Sequence, residues 1–104
     1  MSLNQEQKKR YRAIGHHLNP LVTVAEKGLA ETVLAEIERA LNDHELIKVK
    51  VNVADRAQKT ALIDEMCAET GATLVQSIGR VALLLRKADK PNPKLSNLVR
   101  YQQL

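Results

Sequence analysis

Phenylalanine and tryptophan are absent from the 104 residues, and Tyr11 and Tyr101 are the only tyrosines. Two such rings cannot build a platform on which several unpaired bases stack, which disfavours readers of the RNA-recognition-motif type. The single cysteine, Cys67, rules out an internal disulfide framework and favours a reducing, cytoplasmic setting. No apolar run approaches the roughly 20 residues that span a bilayer. Polar Asn4, Gln5 and Glu6 leave no signal-peptide core near the start. The expectation is an intracellular protein without a membrane partner.

Catalytic signatures are missing too. There is no P-loop, no GxGxxG and no GxSxG sequence. His16, His17 and His44 lack metal-ligand spacing, and Cys67 falls on the apolar face of a predicted helix, where a buried structural thiol is expected. Glu31, Glu36 and Glu38 fit a solvated helix face better than an acid/base pair. Neither an enzyme nor a cofactor, a metal or a small-molecule substrate is expected.

What the chain does have is aliphatic bulk, since 44% of residues are hydrophobic. That suffices for one domain burying about two-thirds of its unfolded surface. The net charge of +4 is unevenly spread. Lys8, Lys9, Arg10 and Arg12 face only Glu6 in the first twenty residues, whereas residues 21–44 are net acidic. From residue 71 onward six basic side chains oppose Asp89 alone. Should the two basic ends meet in the fold, one surface would suit a polyanion.

Periodicity sets out the elements. Leu3, Gln7, Tyr11, Ile14 and Leu18 recur at helical spacing, with Ser2 and Gln5 as a capping box and an end between Gly15 and His17, before Pro20. Leu21 to Val24 read as a short buried strand. Val33, Leu34, Ile37, Ala40 and Leu41 stripe a second helix terminated by Asn42 and Asp43. The period then becomes two, with Ile47, Val49, Val51 and Val53 on one face and Lys48, Lys50 and Asn52 on the other. Asp55 caps a third helix whose inner face is Leu62, Ile63, Met66 and Cys67 and which Gly71 closes.

Residues 72–78 and 81–86 form a hairpin about Gly79-Arg80, a type II′ signal, pairing Ile78 with Val81, Gln76 with Leu83 and Leu74 with Leu85. Both hairpin faces are apolar enough to be covered. The order αβαβαββ implies an α/β two-layer fold: a mixed four-stranded sheet with three helices, the second and third on one face. Residues 1–87 form the domain. Residues 88–104, with Lys90, Pro91, Pro93 and Lys94, read as a basic extended tail with a weak helical turn from Leu95 to Leu98.

Candidate contacts gather on loops and one sheet face. Lys8, Lys9, Arg12 and His16 lie on one side of the first helix, although His16 suits a helix C-terminal role equally well. Ala25, Glu26, Lys27 and Gly28 precede the second helix, where backbone N–H groups, a positive helix end and an ammonium coincide. Lys48, Lys50, Arg80 and Arg86 complete the set. The acidic second helix fits a DNA major groove poorly. Phosphate-led contact with folded, structured RNA remains, and docking on a partner protein through Glu31, Glu36, Glu38 and Asp43 is the alternative.

Four segments carry a specific resemblance: Ala-Glu-Lys-Gly-Leu-Ala-Glu-Thr-Val-Leu-Ala-Glu-Ile, His-Glu-Leu-Ile-Lys-Val-Lys, Glu-Thr-Gly-Ala and Val-Gln-Ser-Ile-Gly-Arg. From about Leu3 to Arg86 the chain resembles the YhbY-like, free-standing CRM domains (chloroplast RNA splicing and ribosome maturation). The resemblance implies a fold like the C-terminal domain of bacterial translation initiation factor three. It further implies non-catalytic RNA binding, with ribosomal RNA in precursors of the large subunit (pre-50S particles) as partner. The family's Gly-x-x-Gly loop, likened to the KH-domain clamp, corresponds here to Ala25-Glu26-Lys27-Gly28, with alanine in place of the first glycine. Ala30 stands where the family often has threonine, a possible helix cap.

Overall fold

Two periodicities, 3.6 and 2, alternate along the chain, and the computed structural model, which describes residues 3–103, resolves them into eight elements. These are α1 (Gln5–Gly15), β1 (Pro20–Val24), α2 (Glu31–His44), β2 (Leu46–Val51), α3 (Arg56–Thr70), β3 (Thr73–Ile78), β4 (Val81–Leu85) and α4 (Asn97–Arg100). The expected α/β class and mixed sheet are present, and a fourth, short helix joins the three expected ones. No helix among the described residues is long and apolar enough to cross a membrane.

Caps decide where the helices begin and end. Asn4 Oδ1 accepts the Gln7 N–H at 2.8 Å, and Gln7 Oε1 accepts the Asn4 N–H at 3.0 Å. This reciprocal box uses the spacing expected of Ser2 and Gln5 but sits two residues later; Ser2 lies outside the described residues. α2 continues past Asn42 and Asp43 to His44, because Glu45 at φ 63° makes the stop instead. Asp55 Oδ1 accepts the Ala57 N–H at 3.0 Å to start α3, and Gly71 ends it at φ 73°.

The sheet runs β1-β2-β4-β3, with β1 parallel to β2 and the other pairings antiparallel. Both crossovers, β1-α2-β2 and β2-α3-β3, step the same way across the sheet, so a common hand places both helices on one face. There Ile37, Leu41, Ile47, Val49, Val51, Met66 and Leu84 are wholly buried in the larger core. The opposite face is covered as well, by α1 and residues near α4. Tyr11, Ile14, Leu46, Val75, Leu83 and Leu85 form a smaller core there, with Leu98 and Tyr101 packed against it. Gly15 lets α1 approach closely, since a Cβ at that position would lie 2.9 Å from Leu83 Cδ2.

The hairpin keeps two of its three expected pairs, Ile78 with Val81 and Gln76 with Leu83. Leu74 pairs with Leu84 rather than Leu85, because a bulge at Val75 inserts one residue. The gain is burial of Val75 in the smaller core while Leu74 is left partly exposed. Positive φ at Gly79 but not at Arg80 is what a type II′ turn requires. Coverage is uneven: β4, in the sheet interior, is buried on both faces, whereas edge strand β3 leaves Ile78 63% exposed.

Residues beyond Arg86 return to the body instead of extending from it. One Glu45 carboxylate oxygen accepts the Ser96 hydroxyl at 2.7 Å and the other accepts the Ala88 N–H at 2.7 Å. Asn97 Nδ2 donates to the Leu46 carbonyl at 2.7 Å, and His44 Nδ1 donates to the Leu95 carbonyl at 2.9 Å. Ser96 then caps α4 through the N–H groups of Leu98 and Val99. The helical turn therefore lies at Asn97–Arg100, two residues beyond the expected start.

Replacing Glu45 by alanine strands a buried hydroxyl and a backbone N–H together, at a cost of about 2–3 kcal/mol. Urea unfolding should show the lowered midpoint, and limited proteolysis should cut residues 88–101 faster. An unchanged midpoint would remove this carboxylate as the fastening of the C-terminal segment.

Candidate nucleic-acid interface

The alternation of β2 sends Ile47, Val49 and Val51 into the larger core and must therefore turn Lys48 and Lys50 to the α1 side. Lys48 is half-buried and Lys50 exposed. Pairing places Lys48 beside Leu83 and Lys50 beside Val81. Helix α1 crosses only part of this face. Arg12, Gly15 and His16 from its last turns meet Lys48, Gln76, Ile78, Val81 and Leu83 around a cleft of about 230 Å³. One turn back from Arg12, Lys8 is half-buried on the same flank, and Lys9 beside it is exposed.

From this cleft the cationic groups follow β2 towards its C-terminal end. Lys50 lies two residues, or about 7 Å, beyond Lys48. Next on that face is Asn52, whose side-chain oxygen accepts Arg80 Nη1 at 2.7 Å, while the Arg80 carbonyl accepts the Val51 N–H at 2.6 Å. Asn52 N–H in turn donates to the Val24 carbonyl at 2.7 Å, which brings the end of β1 and the loop after it alongside. The α1 flank, Lys48, Lys50, Arg80 and the 25–28 loop thus form one band from the middle of the sheet to the C-terminal ends of its parallel strands. Ligands of open α/β sheets commonly sit at such ends.

Within the loop, the Gly28 N–H donates to the Ala25 carbonyl at 2.9 Å, closing a turn over Glu26 and Lys27. Gly28 has φ 81°, which favours glycine. Ala25 has no positive φ, so alanine there carries no backbone strain. Glu26 is the acidic member of the band; it takes the Ala54 N–H in a long bond of 3.4 Å. Ala30 is the N-cap of α2 and gives no side-chain bond, so the first-turn N–H groups of α2 have no capping side chain.

Arg86 stands apart from the band. Its Nη1 donates to Glu38 Oε2 at 2.8 Å and to the Thr70 carbonyl at 2.8 Å. Its Nη2 donates to Asn42 Oδ1 at 2.8 Å and, at 3.3 Å, to the Glu38 carbonyl. The guanidinium clamps α2 to the end of α3, a structural engagement that its expectation as a phosphate contact did not include. This is the one ion pair among the described residues. It also engages Glu38, expected to be solvated, and so interrupts the acidic run of α2.

Several neighbours are invisible to sequence reasoning. Lys59, from the first turns of α3, donates to the Gly79 carbonyl at 2.6 Å and places another amine at the hairpin turn. Gln76 and Ile78 enter the cleft wall only through the strand pairing. Burial pushes the Cys67 thiol above its ordinary pKa and the Asp64 carboxylate adds to the effect, so the thiol is protonated at neutral pH. Among the described residues no group of three or more His, Cys, Asp or Glu side chains could hold a metal ion.

Cations from a helix, a strand and a hairpin turn thus gather along a mixed α/β sheet, the arrangement of an α/β nucleic-acid-binding domain class. The chain belongs to the CRS1/YhbY (CRM) domain family, whose model matches residues 3–86. It is 60% identical over 101 residues to a probable RNA-binding protein of Pseudomonas aeruginosa, covering 97% of both chains. It is 47% identical over 94 residues to an RNA-binding protein of Haemophilus influenzae, covering 90% of this chain and 95% of that one. The solution structure of a hypothetical protein from Staphylococcus aureus superposes with a TM-score of 0.74 at 28% identity, over 86% of this chain and 93% of that one.

Arg86→Gln should lower stability by about 2 kcal/mol through the lost charge-assisted bonds and the stranded Thr70 carbonyl. Denaturant midpoints compared with an Arg12→Gln control, expected to change by less than about 0.5 kcal/mol, would check the difference. Equal, small effects would return Arg86 to the surface set.

Proposed function

We propose that this protein binds RNA without catalysis, in the cytoplasm, and that its target is structured ribosomal RNA in precursors of the large ribosomal subunit. The observation that carries the reading is that Arg12 of α1 and His16 at its end meet Lys48 of β2 around one cleft, and in this reading Lys8, Lys9, Lys50, Arg80 and Lys27 extend it into a cationic band. Its cations come from four separate chain segments; those of α1 and β2 share the α1 side of the sheet, and Arg80 and Lys27 lie at the end of it where β1 and β2 finish. The names of its relatives support RNA as the polyanion, and the family's association with ribosome maturation supports the ribosomal target.

Affinity in this reading is phosphate-led. Lysine and arginine displace condensed counterions, while His16, Gln76 and the N–H groups near Gly28 orient the backbone. With Ala25 unstrained and Glu26 in the turn, the loop contributes geometry more than charge. Recognition then rests on the shape of a folded RNA, in keeping with the two tyrosines. The alternative of a protein partner on acidic α2 loses ground because Glu38 is engaged by Arg86.

A structured fragment of large-subunit RNA should bind with an affinity that falls steeply with salt. A log–log slope of about −3 to −5 corresponds to four to six phosphate contacts. Lys9→Glu combined with Arg12→Glu should abolish binding, measured by filter retention or anisotropy, with the fold retained by circular dichroism. Salt-insensitive binding, or full binding by the double variant, would overturn the reading.

A further inference from the structure

Beside the band lies a second cleft, of about 240 Å³, that shares only Lys48 with it. It opens where the end of α1, the start of β1 and the end of α2 meet the returning C-terminal segment. Its polar lining consists of His17, His44, Lys48, Asn97 and Arg100 together with Asn19 and Tyr101; none of its lining residues is acidic. The His17 and Tyr101 rings are stacked, with centroids 5.5 Å apart and planes 19° from parallel. The Arg100 guanidinium carbon stands 5.5 Å from the Tyr101 ring centroid. The wall is therefore aromatic and cationic at once.

Lys48 lines both clefts, so they adjoin at that residue near the end of α1. A strand whose phosphate meets Lys48 in the first cleft would have its next nucleotide beside the second. The volume lies below the range of about 300–1,000 Å³ usual for drug-sized ligands, which admits one nucleotide unit and not a run of them. Charge and shape agree: Arg100 and Lys48 match a phosphate, and the His17–Tyr101 wall matches the flat face of one base.

We propose that this second cleft holds a single unpaired nucleotide of RNA, next to the structured segment bound along β2. The C-terminal residues Arg100 and Tyr101 thereby belong to the binding surface. This rests on the RNA reading above and adds to it a site specific for unpaired RNA. It also gives the fastening of residues 88–101 by Glu45 a functional consequence, because that fastening forms one wall of the cleft.

The test compares two RNAs, a blunt-ended hairpin and the same hairpin with a short single-stranded 3′ extension, by fluorescence anisotropy. The extended RNA should bind about tenfold more tightly, the order expected for one stacked base. Arg100→Gln and Tyr101→Leu, made singly, should remove most of that gain and weaken the blunt hairpin by a much smaller factor, no more than one lost phosphate contact. Arg100 is exposed, so its variant reports even if the Tyr101 variant is poorly folded. Blunt hairpin bound with a steep salt slope, but no gain from the extension, overturns the second cleft alone. Equal losses on both RNAs also overturn it, since they mark a structural role. Binding of neither RNA by the unaltered protein overturns the RNA reading itself.

Discussion

The rest of the structure depends on the two-residue period of β2. Because successive side chains point to opposite faces, the register that buries Ile47, Val49 and Val51 completely is the same register that presents Lys48 and Lys50 to the α1 side. A slip by one residue would bury two ammonium groups and expose three valines and isoleucines, which is prohibitively costly. The core thus enforces the placement of the cations. Flanked by β1 on one side and β4 on the other, β2 has no free edge along which to slide.

A second constraint is Glu45, a buried residue with positive φ between α2 and β2. Its unusual backbone turns the chain directly from helix into strand with no loop residues to spare. Its side chain then reaches the Ala88 N–H and the Ser96 hydroxyl, while its carbonyl accepts the Arg86 N–H at 2.8 Å. One residue accordingly joins the helix end, the last strand and the returning C-terminal segment. Arg86 does the corresponding work on the other side of the sheet by joining α2 to α3. Both are charged groups that make several hydrogen bonds to partners distant in sequence, Glu45 buried and Arg86 partly exposed.

Local signals made most of the elements legible. Alternation in Ile47–Val53, the Asp55 and Gly71 caps, and the Gly79-Arg80 turn each involve residues within a few positions of one another. Long-range bonding was not legible. Nothing near Arg86 in sequence announces Glu38 or Thr70, and a basic residue at a strand end looks the same whether it meets phosphate or a helix terminus. The tail misled for the same reason: Ser96 and Asn97 look like loop residues until Glu45 and the Leu46 carbonyl, about fifty positions earlier, supply their partners. The bulge at Val75 was hidden because alternation alone cannot say when one buried valine is worth a lost ladder bond. The α1 cap was displaced because Asn4-x-x-Gln7 and Ser2-x-x-Gln5 are both acceptable boxes.

Charge separation across the sheet gives the modest net charge its effect. On one face, α2 carries Glu31, Glu36, Glu38 and Asp43 against Arg39, and α3 adds Asp64, Glu65 and Glu69 against Arg56 and Lys59. On the other, α1 carries Lys8, Lys9, Arg10 and Arg12 against Glu6, and the C-terminal segment adds Arg100. The sheet is a low-dielectric partition between these layers, so the molecule has a polarity that its net charge understates. A polyanion approaching within about a Debye length, roughly 8–10 Å at physiological salt, meets attraction on one side and repulsion on the other. Of that acidic layer Arg86 pairs with Glu38 alone, and Glu31, Glu36, Asp64, Glu65 and Glu69 remain exposed.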